Sequence, residues 1–159
     1  MEQFNLITDR TATDVTRWRE LRNKGWSQMT AAEREEWRNP MKGAYNATDL
    51  NRVGAALNYV RDRLVEHGYL YENAFAARVD WQAGEIPTRA DLTKYLGYVS
   101  TIRAAFSRFP TTPPAPKNTG LLNYRDANDI EQIVLDVGTL LDNMVSAWYF
   151  SGDLYSGEL

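Results

Sequence analysis

Three long stretches of this 159-residue chain carry apolar residues at alternating spacings of three and four positions. This spacing places the apolar side chains on one face of an α-helix and favours side-by-side packing with axes about 20° apart. We therefore predict an all-α fold: an up-down bundle of three long helices over residues 49–67, 89–108 and 127–147. The three stripes are Leu50, Val53, Leu57, Val60 and Leu64; Leu92, Tyr95, Val99, Ile102 and Phe106; and Ile130, Ile133, Val137, Leu140 and Met144.

Capping signals set the helix ends and add one or two short N-terminal helices. Thr30 and Glu33 have capping-box spacing and open a short helix that must end before Pro40. Thr88 and Asp91 have the same spacing at the start of another helix. The remaining N-caps are predicted at Thr13, Thr48 and Asn128, with an earlier start of the last helix at 124–127 as the alternative.

One helical domain, residues 1–149, accommodates these elements. Within it, residues 109–120 contain four of the six prolines and are predicted to form an extended spacer between two helices rather than a ligand for a proline-recognising groove. Residues 69–87 have no clear period, so they either continue a helix or form an ordered loop. Ala47–Leu50 matches Ala127–Ile130 at an offset of 80 residues. The match is explained either by a duplicated hairpin or by a chance register of two amphipathic helices.

Residues 150–159 repeat the pattern aromatic-Ser-Gly-acid-Leu twice. Because Ser-Gly breaks a helix, we expect an extended C-terminal tail that does not continue the last stripe. Its large apolar side chains either fold back on the bundle or dock onto a partner. In the docking interpretation the contacting residues are Phe150, Leu154, Tyr155 and Leu159.

Composition excludes several kinds of chemistry. A formal charge of −3 argues against a dedicated nucleic-acid binder. The absence of cysteine and the single histidine, His67, exclude disulfides, a thiol nucleophile and a multi-histidine metal site. No phosphate-binding glycine loop or nucleophile elbow occurs. We predict no catalytic residue, no metal and no cofactor, hence no enzyme, with His67 stabilising a helix end and Glu33, Glu35 and Glu36 forming solvated surface.

The N-terminus shows no signal-peptide pattern, and no apolar run approaches the roughly 20 residues that span a bilayer. The sequence therefore predicts a soluble cytoplasmic product that makes no membrane contact.

Aromatic residues are abundant, with five Trp, nine Tyr and five Phe. Trp18 shares a helical stripe with Val15 and Leu21, so we expect it in the core. Trp26 and Trp37 flank the Thr30 capping box. We favour packing at the end of the core for both, and the alternative is a platform that binds a partner or a glycan.

Three segments, 43–53, 122–131 and 155–158, resemble segments of structural proteins from phages and prophages of Gram-positive bacteria. The order of capped helix, aromatic segment, proline-rich spacer, helix and Ser-Gly-acid tail is also similar, over most of residues 8–159. The resemblance implies a non-enzymatic tail, baseplate or fibre-associated protein with other virion proteins as partners. It also implies a homo-oligomer, present in host cytoplasm during assembly and then in the virion tail. The competing hypotheses are a small aromatic-surface module that binds glycan or peptide and, third, an all-helical wall hydrolase.

Overall fold

The computed structural model describes residues 1–117 and 122–152, and within them it contains α-helices and no strand. The predicted all-α fold class is confirmed. Two short 3-10 turns lie at Glu2–Phe4 and Trp26–Gln28. The five α-helices of the described residues are α1 (Ala12–Lys24), α2 (Ala31–Arg38), α3 (Ala47–Glu66), α4 (Arg89–Ala105) and α5 (Tyr124–Gly152).

Helices α3, α4 and α5 contact one another in pairs and share one apolar core. The predicted stripe of α3 is buried along its whole length. On α5 the predicted Leu140 is wrong, because Leu141 is the buried residue there. At 100° per residue, position 141 lies about 20° around the helix from Ile130, whereas position 140 lies about 80° away.

Capping boxes begin four of the helices. The boxes predicted at Thr30 and Thr88 are confirmed. The other two differ from the predicted caps, because the acidic residue at the third helical position selects the cap. Asp14 pairs with Thr11, and Asp49 pairs with Asn46, so Thr13 and Thr48 lie inside the first turns of α1 and α3.

Helix α5 begins at Tyr124, which confirms the alternative start at 124–127, and it ends later than predicted. The Asn123 carboxamide accepts a hydrogen bond from the Arg125 amide at 2.8 Å, so Asn123 caps the helix and the predicted cap at Asn128 is wrong. Residues 127–130 therefore lie inside α5, whereas residues 47–50 open α3, and the 80-residue match does not align two helix starts. Ser151 and Gly152 continue α5, contrary to the predicted break.

Residues 69–87 form an ordered loop without helix or strand, the second of the two predicted alternatives. Two asparagines of α3 hold it by exchanging hydrogen bonds with loop backbone. The Asn58 carboxamide bonds both the N–H and the carbonyl of Ala77 at 2.8 Å, and Asn51 does the same to Trp81 at 2.8 and 2.9 Å. Between them, a Cβ on Gly54 would lie 2.5 Å from the Arg78 carbonyl oxygen, so the close approach requires glycine.

The described part of the proline-rich segment, residues 109–117, also lacks helix and strand. The buried Thr112 hydroxyl bonds a carboxylate oxygen of Asp136 on α5 at 2.5 Å. Arg103 of α4 donates to the Pro113 carbonyl at 2.6 Å. These bonds hold the segment against two of the long helices.

Candidate binding cleft

The N-terminal arm, residues 5–11, lies against the first turns of α5. The Asn128 carboxamide accepts a hydrogen bond from the Arg10 amide at 3.0 Å and donates to the Arg10 carbonyl at 2.9 Å. This exchange repeats the way that asparagines of α3 hold the 69–87 loop. It places the Arg10 side chain between α3 and α5.

Four charged side chains meet at this junction, and we call them the charged cluster: Arg10, Asp49, Arg52 and Glu131. One Arg10 nitrogen lies 3.1 Å from Asp49 and 2.7 Å from Glu131. One Arg52 nitrogen lies 2.7 Å and 3.0 Å from the same two carboxylates. Glu131 is 0% exposed and Arg10 is 3% exposed. Two cations and two anions balance, which makes burial of the group tolerable.

Hydrogen bonds to backbone complete the cluster. Glu131 accepts from the Ile7 amide at 2.6 Å, and Arg10 donates to the Ile7 carbonyl at 2.7 Å. Burial alone would lower the pKa of Arg52, but the neighbouring Glu131 and Asp49 carboxylates outweigh it and raise that pKa. Both guanidinium groups and both carboxylates are therefore engaged in fixing the arm to α3 and α5.

A cleft of about 480 Å³ lies beside this cluster, between α1 and the first turns of α4 and α5. Its residues come from four parts of the chain, which explains why no local motif marks it. We call it the cleft. The side chains that line it include Ala12, Val15, Thr16, Trp18, Arg19, Lys42, Tyr45, Leu92, Tyr95, Leu122, Tyr124 and Ile130, with Arg10 at its edge.

Tyr45 and Tyr95 form one wall of the cleft. Their hydroxyl groups lie 2.6 Å apart, and the Arg10 guanidinium lies 5.2 Å from the centre of the Tyr45 ring. Tyr45 as a whole is 36% exposed, but its hydroxyl lies against that of the buried Tyr95. Burial at this point raises the pKa of both hydroxyls, and the nearby Glu131 charge adds to the effect. Gly43 is required beside them, since a Cβ there would overlap the Asp14 carbonyl of α1.

The charged side chains that line the cleft all have the same sign. Among the described residues that line it, three are cationic and none is acidic. Arg10 is neutralised within the charged cluster, and Lys42 pairs with the exposed Asp9 at 2.7 Å. Arg19 is exposed and makes no ion pair with the described residues. The arrangement suits an apolar or aromatic group that carries a neighbouring negative charge.

The three tryptophans of the first forty residues are not in the core, contrary to the favoured interpretation. Trp18 forms a wall of the cleft. Trp37 lines a neighbouring cleft of about 410 Å³ that shares Trp18 and Tyr45. Trp26 is 46% exposed, with two α2 guanidinium groups 5.3 and 5.4 Å from its ring centre. In this part of the chain the buried apolar residues are Leu21 and Met29, while Trp18 and Trp37 are half-buried.

The remaining predicted site residues are spread over the molecule. Leu154, Tyr155 and Leu159 lie outside the described residues, as does the side chain of Phe150. His67 follows the last residue of α3, and its ring meets Trp148 edge-on at 5.9 Å. The three α2 glutamates form surface ion pairs: Glu33 with Lys24, Glu35 with Arg38 and Glu36 with Arg17.

The charged cluster and Tyr45 were absent from the predicted site. One sequence signal could have found the cluster. Glu131 lies between Ile130 and Ile133 in the apolar stripe of α5, and a charge inside a buried stripe requires a partner. No comparable signal marks Tyr45, which follows a glycine-containing turn.

Fold and site together define an all-helical protein with an aromatic, cation-lined cleft. No family model, curated protein or solved structure matches the chain. Across residues 1–117 and 122–152, no helix has the length and hydropathy needed to cross a bilayer. The same residues contain no group of three or more His, Asp or Glu side chains arranged to hold a metal ion.

Proposed function

We propose that this protein is a non-enzymatic assembly protein of a phage or prophage, associated with the tail or baseplate, that acts through protein–protein contacts. The observation that carries the proposal is the cleft, whose aromatic walls and unpaired Arg19 suit a side chain from another protein. Tyr and Trp provide large contact area at low entropic cost, as binding surfaces require. The resemblance of residues 43–53 and 122–131 to virion proteins supports the phage assignment.

The chemistry of the cleft favours binding over turnover. General acid–base catalysis needs a group whose pKa lies near the working pH. The two carboxylates beside the cleft, Asp49 and Glu131, are each bonded by two guanidinium groups. The two tyrosine hydroxyls have pKa values raised above their ordinary value. These groups support a site that recognises a surface rather than one that transforms a substrate.

The same proposal includes the finer architecture and the life cycle. Helices α3, α4 and α5 would form an up-down bundle, with residues 109–120 as the spacer between the last two. The protein would form homo-oligomers and contact other virion proteins. It would be present in host cytoplasm during assembly and then in the virion tail.

Particle purification tests this function directly. Host cells carrying the phage or prophage are induced, particles are banded on a density gradient, and the chain is quantified in each fraction. We expect it to co-sediment with particles at a constant ratio to a major tail protein. A host cytosolic protein of similar size serves as the control and should remain at the top. The proposal fails if the chain also remains wholly at the top.

The second candidate is a small module that binds glycan or peptide. Its support is the exposed Trp26, with Trp37 in the neighbouring cleft. It predicts a monomer that binds a glycan or peptide ligand, with binding abolished by Trp37→Ala and unaffected by Trp148→Ala. Sedimentation velocity separates this candidate from an assembly protein, because only the latter associates with itself.

A further inference from the structure

We propose that the cleft receives Leu154 and Tyr155 from a second copy of this chain, in a head-to-tail contact. This inference rests on the proposed function in one respect, which is that the protein acts through protein–protein contacts. It assigns an occupant to the cleft and a receptor to the C-terminal residues. In the sequence, large apolar residues stand beside acidic ones in that segment.

Charge and side-chain chemistry match between the two surfaces. Leu154 and Tyr155 offer an aliphatic and an aromatic group, while the cleft offers Trp18, Leu92 and Tyr124 as apolar walls. Asp153 and Glu158 flank the two apolar residues. The described lining of the cleft holds cations and no acid. Lys42 is already paired with Asp9, so Arg19 is the cation that an acid of the incoming segment would meet.

Distance excludes the cleft of the same chain. The cleft contacts α5 at Tyr124, Ala127 and Ile130, in the first two turns. From Ile130 to Gly152 the helix runs about 33 Å at 1.5 Å per residue. Tyr155 is three residues beyond Gly152, so even a fully extended chain carries it only about 10 Å from the helix end. Leu154 and Tyr155 therefore cannot return to their own cleft, whereas those of another copy can enter it.

Such a contact joins two different surfaces of the same protein. Each copy would carry one cleft at the start of α5 and one apolar pair beyond its end. Two copies that exchange these segments reciprocally close as a two-fold dimer, whereas copies that do not exchange them extend into a ring or an open filament. In each of these assemblies the cleft of one copy is filled by the segment of another copy.

Two complementary variants of the full chain test the contact. The first, Leu154→Asp/Tyr155→Asp, disables the donated segment. The second, Thr16→Glu/Arg19→Glu, places negative charge on two exposed α1 residues that line the cleft. Thr111→Glu/Arg108→Glu changes the charge equally at exposed positions outside the lining of the cleft and is the matched control.

Sedimentation velocity across a concentration series gives the readout, with circular dichroism checking that each variant is folded. We expect the wild type and the control to form oligomers of two or more copies. Each disabled variant alone should associate at least about tenfold more weakly, since one end of every contact is lost. An equimolar mixture of the two should form one-to-one dimers that do not extend further, because only one productive pairing remains.

Three results would overturn the inference: a wild type that is monomeric at millimolar concentration, variants that oligomerise like the control, or a mixture that forms no dimer. None of these results bears on co-sedimentation with particles, which tests the proposed function separately. If the chain bands with particles but the variants do not change its association, the proposed function stands and this contact is refuted. If the head-to-tail dimers form but the chain never bands with particles, the contact stands and the proposed function is refuted.

Discussion

The apolar core and the charged cluster are two buried regions stabilised by opposite means. In the core, Val53, Leu57 and Ile133 are fully excluded from solvent, and their contribution scales with the apolar area removed from water. In the cluster, Glu131 is equally excluded, but its burial is tolerable only because two guanidinium groups accompany it. The first region needs volume and hydrophobicity, whereas the second needs specific partners at specific atoms.

This difference separates stability from positioning. The core brings three helices together and would accept other apolar side chains of similar volume. The cluster determines where the N-terminal arm lies on α3 and α5, and the arm leads directly into α1. Because α1 supplies Trp18 and Arg19 to the cleft, the cluster is what places one wall of the candidate site.

Breaking the cluster should have the largest effect. Glu131→Gln removes one of two carboxylates and leaves a buried guanidinium without full compensation. We expect a loss of about 3–5 kcal/mol in the free energy of unfolding. Urea denaturation measures it, with the exposed Glu35→Gln as the control, expected within about 0.5 kcal/mol of wild type. A loss below about 1 kcal/mol for Glu131→Gln would show that the cluster is open to water.

Removing volume from the core should have a similar or slightly smaller effect. Leu57 is 0% exposed on the stripe of α3, so Leu57→Ala leaves a cavity between the long helices. We expect a loss of about 2–5 kcal/mol in unfolding free energy. Leu57→Met keeps the volume and should cost less than about 1.5 kcal/mol. If both variants cost the same, the core does not depend on volume as the comparison requires.

Loosening an asparagine contact should have an intermediate effect. Asn58→Ala leaves both the N–H and the carbonyl of Ala77 without their protein partner. We expect a cost of about 1–3 kcal/mol, concentrated in the 69–87 loop. Hydrogen exchange at the Ala77 amide should accelerate, while exchange in α5 stays slow. Asn143→Ala, at an exposed position of α5, is the control, and equal exchange at Ala77 in wild type and Asn58→Ala would refute the contact.

The comparison also explains what the sequence could predict. Burial of apolar side chains produces a periodic spacing in the sequence, so the stripe of α3 was predicted correctly. The Thr30 and Thr88 capping boxes were also predicted correctly, because their two residues have a fixed local spacing. The favoured cap of α5, Asn128, was wrong because Asn123 and Asn128 are both suitable caps, and only the surrounding structure assigns Asn128 to the arm. A polar residue on a helix has the same appearance in sequence whether water or another segment is its partner.

The candidate site was less predictable for the same reason. Its cations and aromatic rings come from the arm, α1, the segment before α3, α4 and α5, so no spacing relates them. Trp18 lies on an apolar stripe with Leu21, yet only Leu21 is fully buried. Helix α1 also makes ion pairs such as Arg17 with Glu36, and hydrophobic periodicity does not detect these.

Acid titration should produce the smallest effect and would sharpen the contrast between buried and exposed charges. The Lys24 ammonium and the Thr30 amide both bond the Glu33 carboxylate, and together they lower its pKa to about 2 from an ordinary value of 4.5. Between these values the unfolded chain binds a proton at Glu33 that the folded chain does not. Stability from this group is therefore present above about pH 4.5 and is lost as the pH falls toward 2.

Glu33→Gln isolates the charge, because glutamine can still complete a capping box with Thr30. The urea midpoint of wild type should exceed that of the variant at neutral pH, and the difference should shrink as the pH falls through that window. Added salt at neutral pH should also reduce it, since Lys24 and Glu33 lie at the surface, where ions screen their attraction. A difference that is constant in both pH and salt would place the origin of the effect in helix geometry. In that case the exposed pair between α1 and α2 would contribute nothing through its charge, and the contrast with the buried cluster would be larger than proposed.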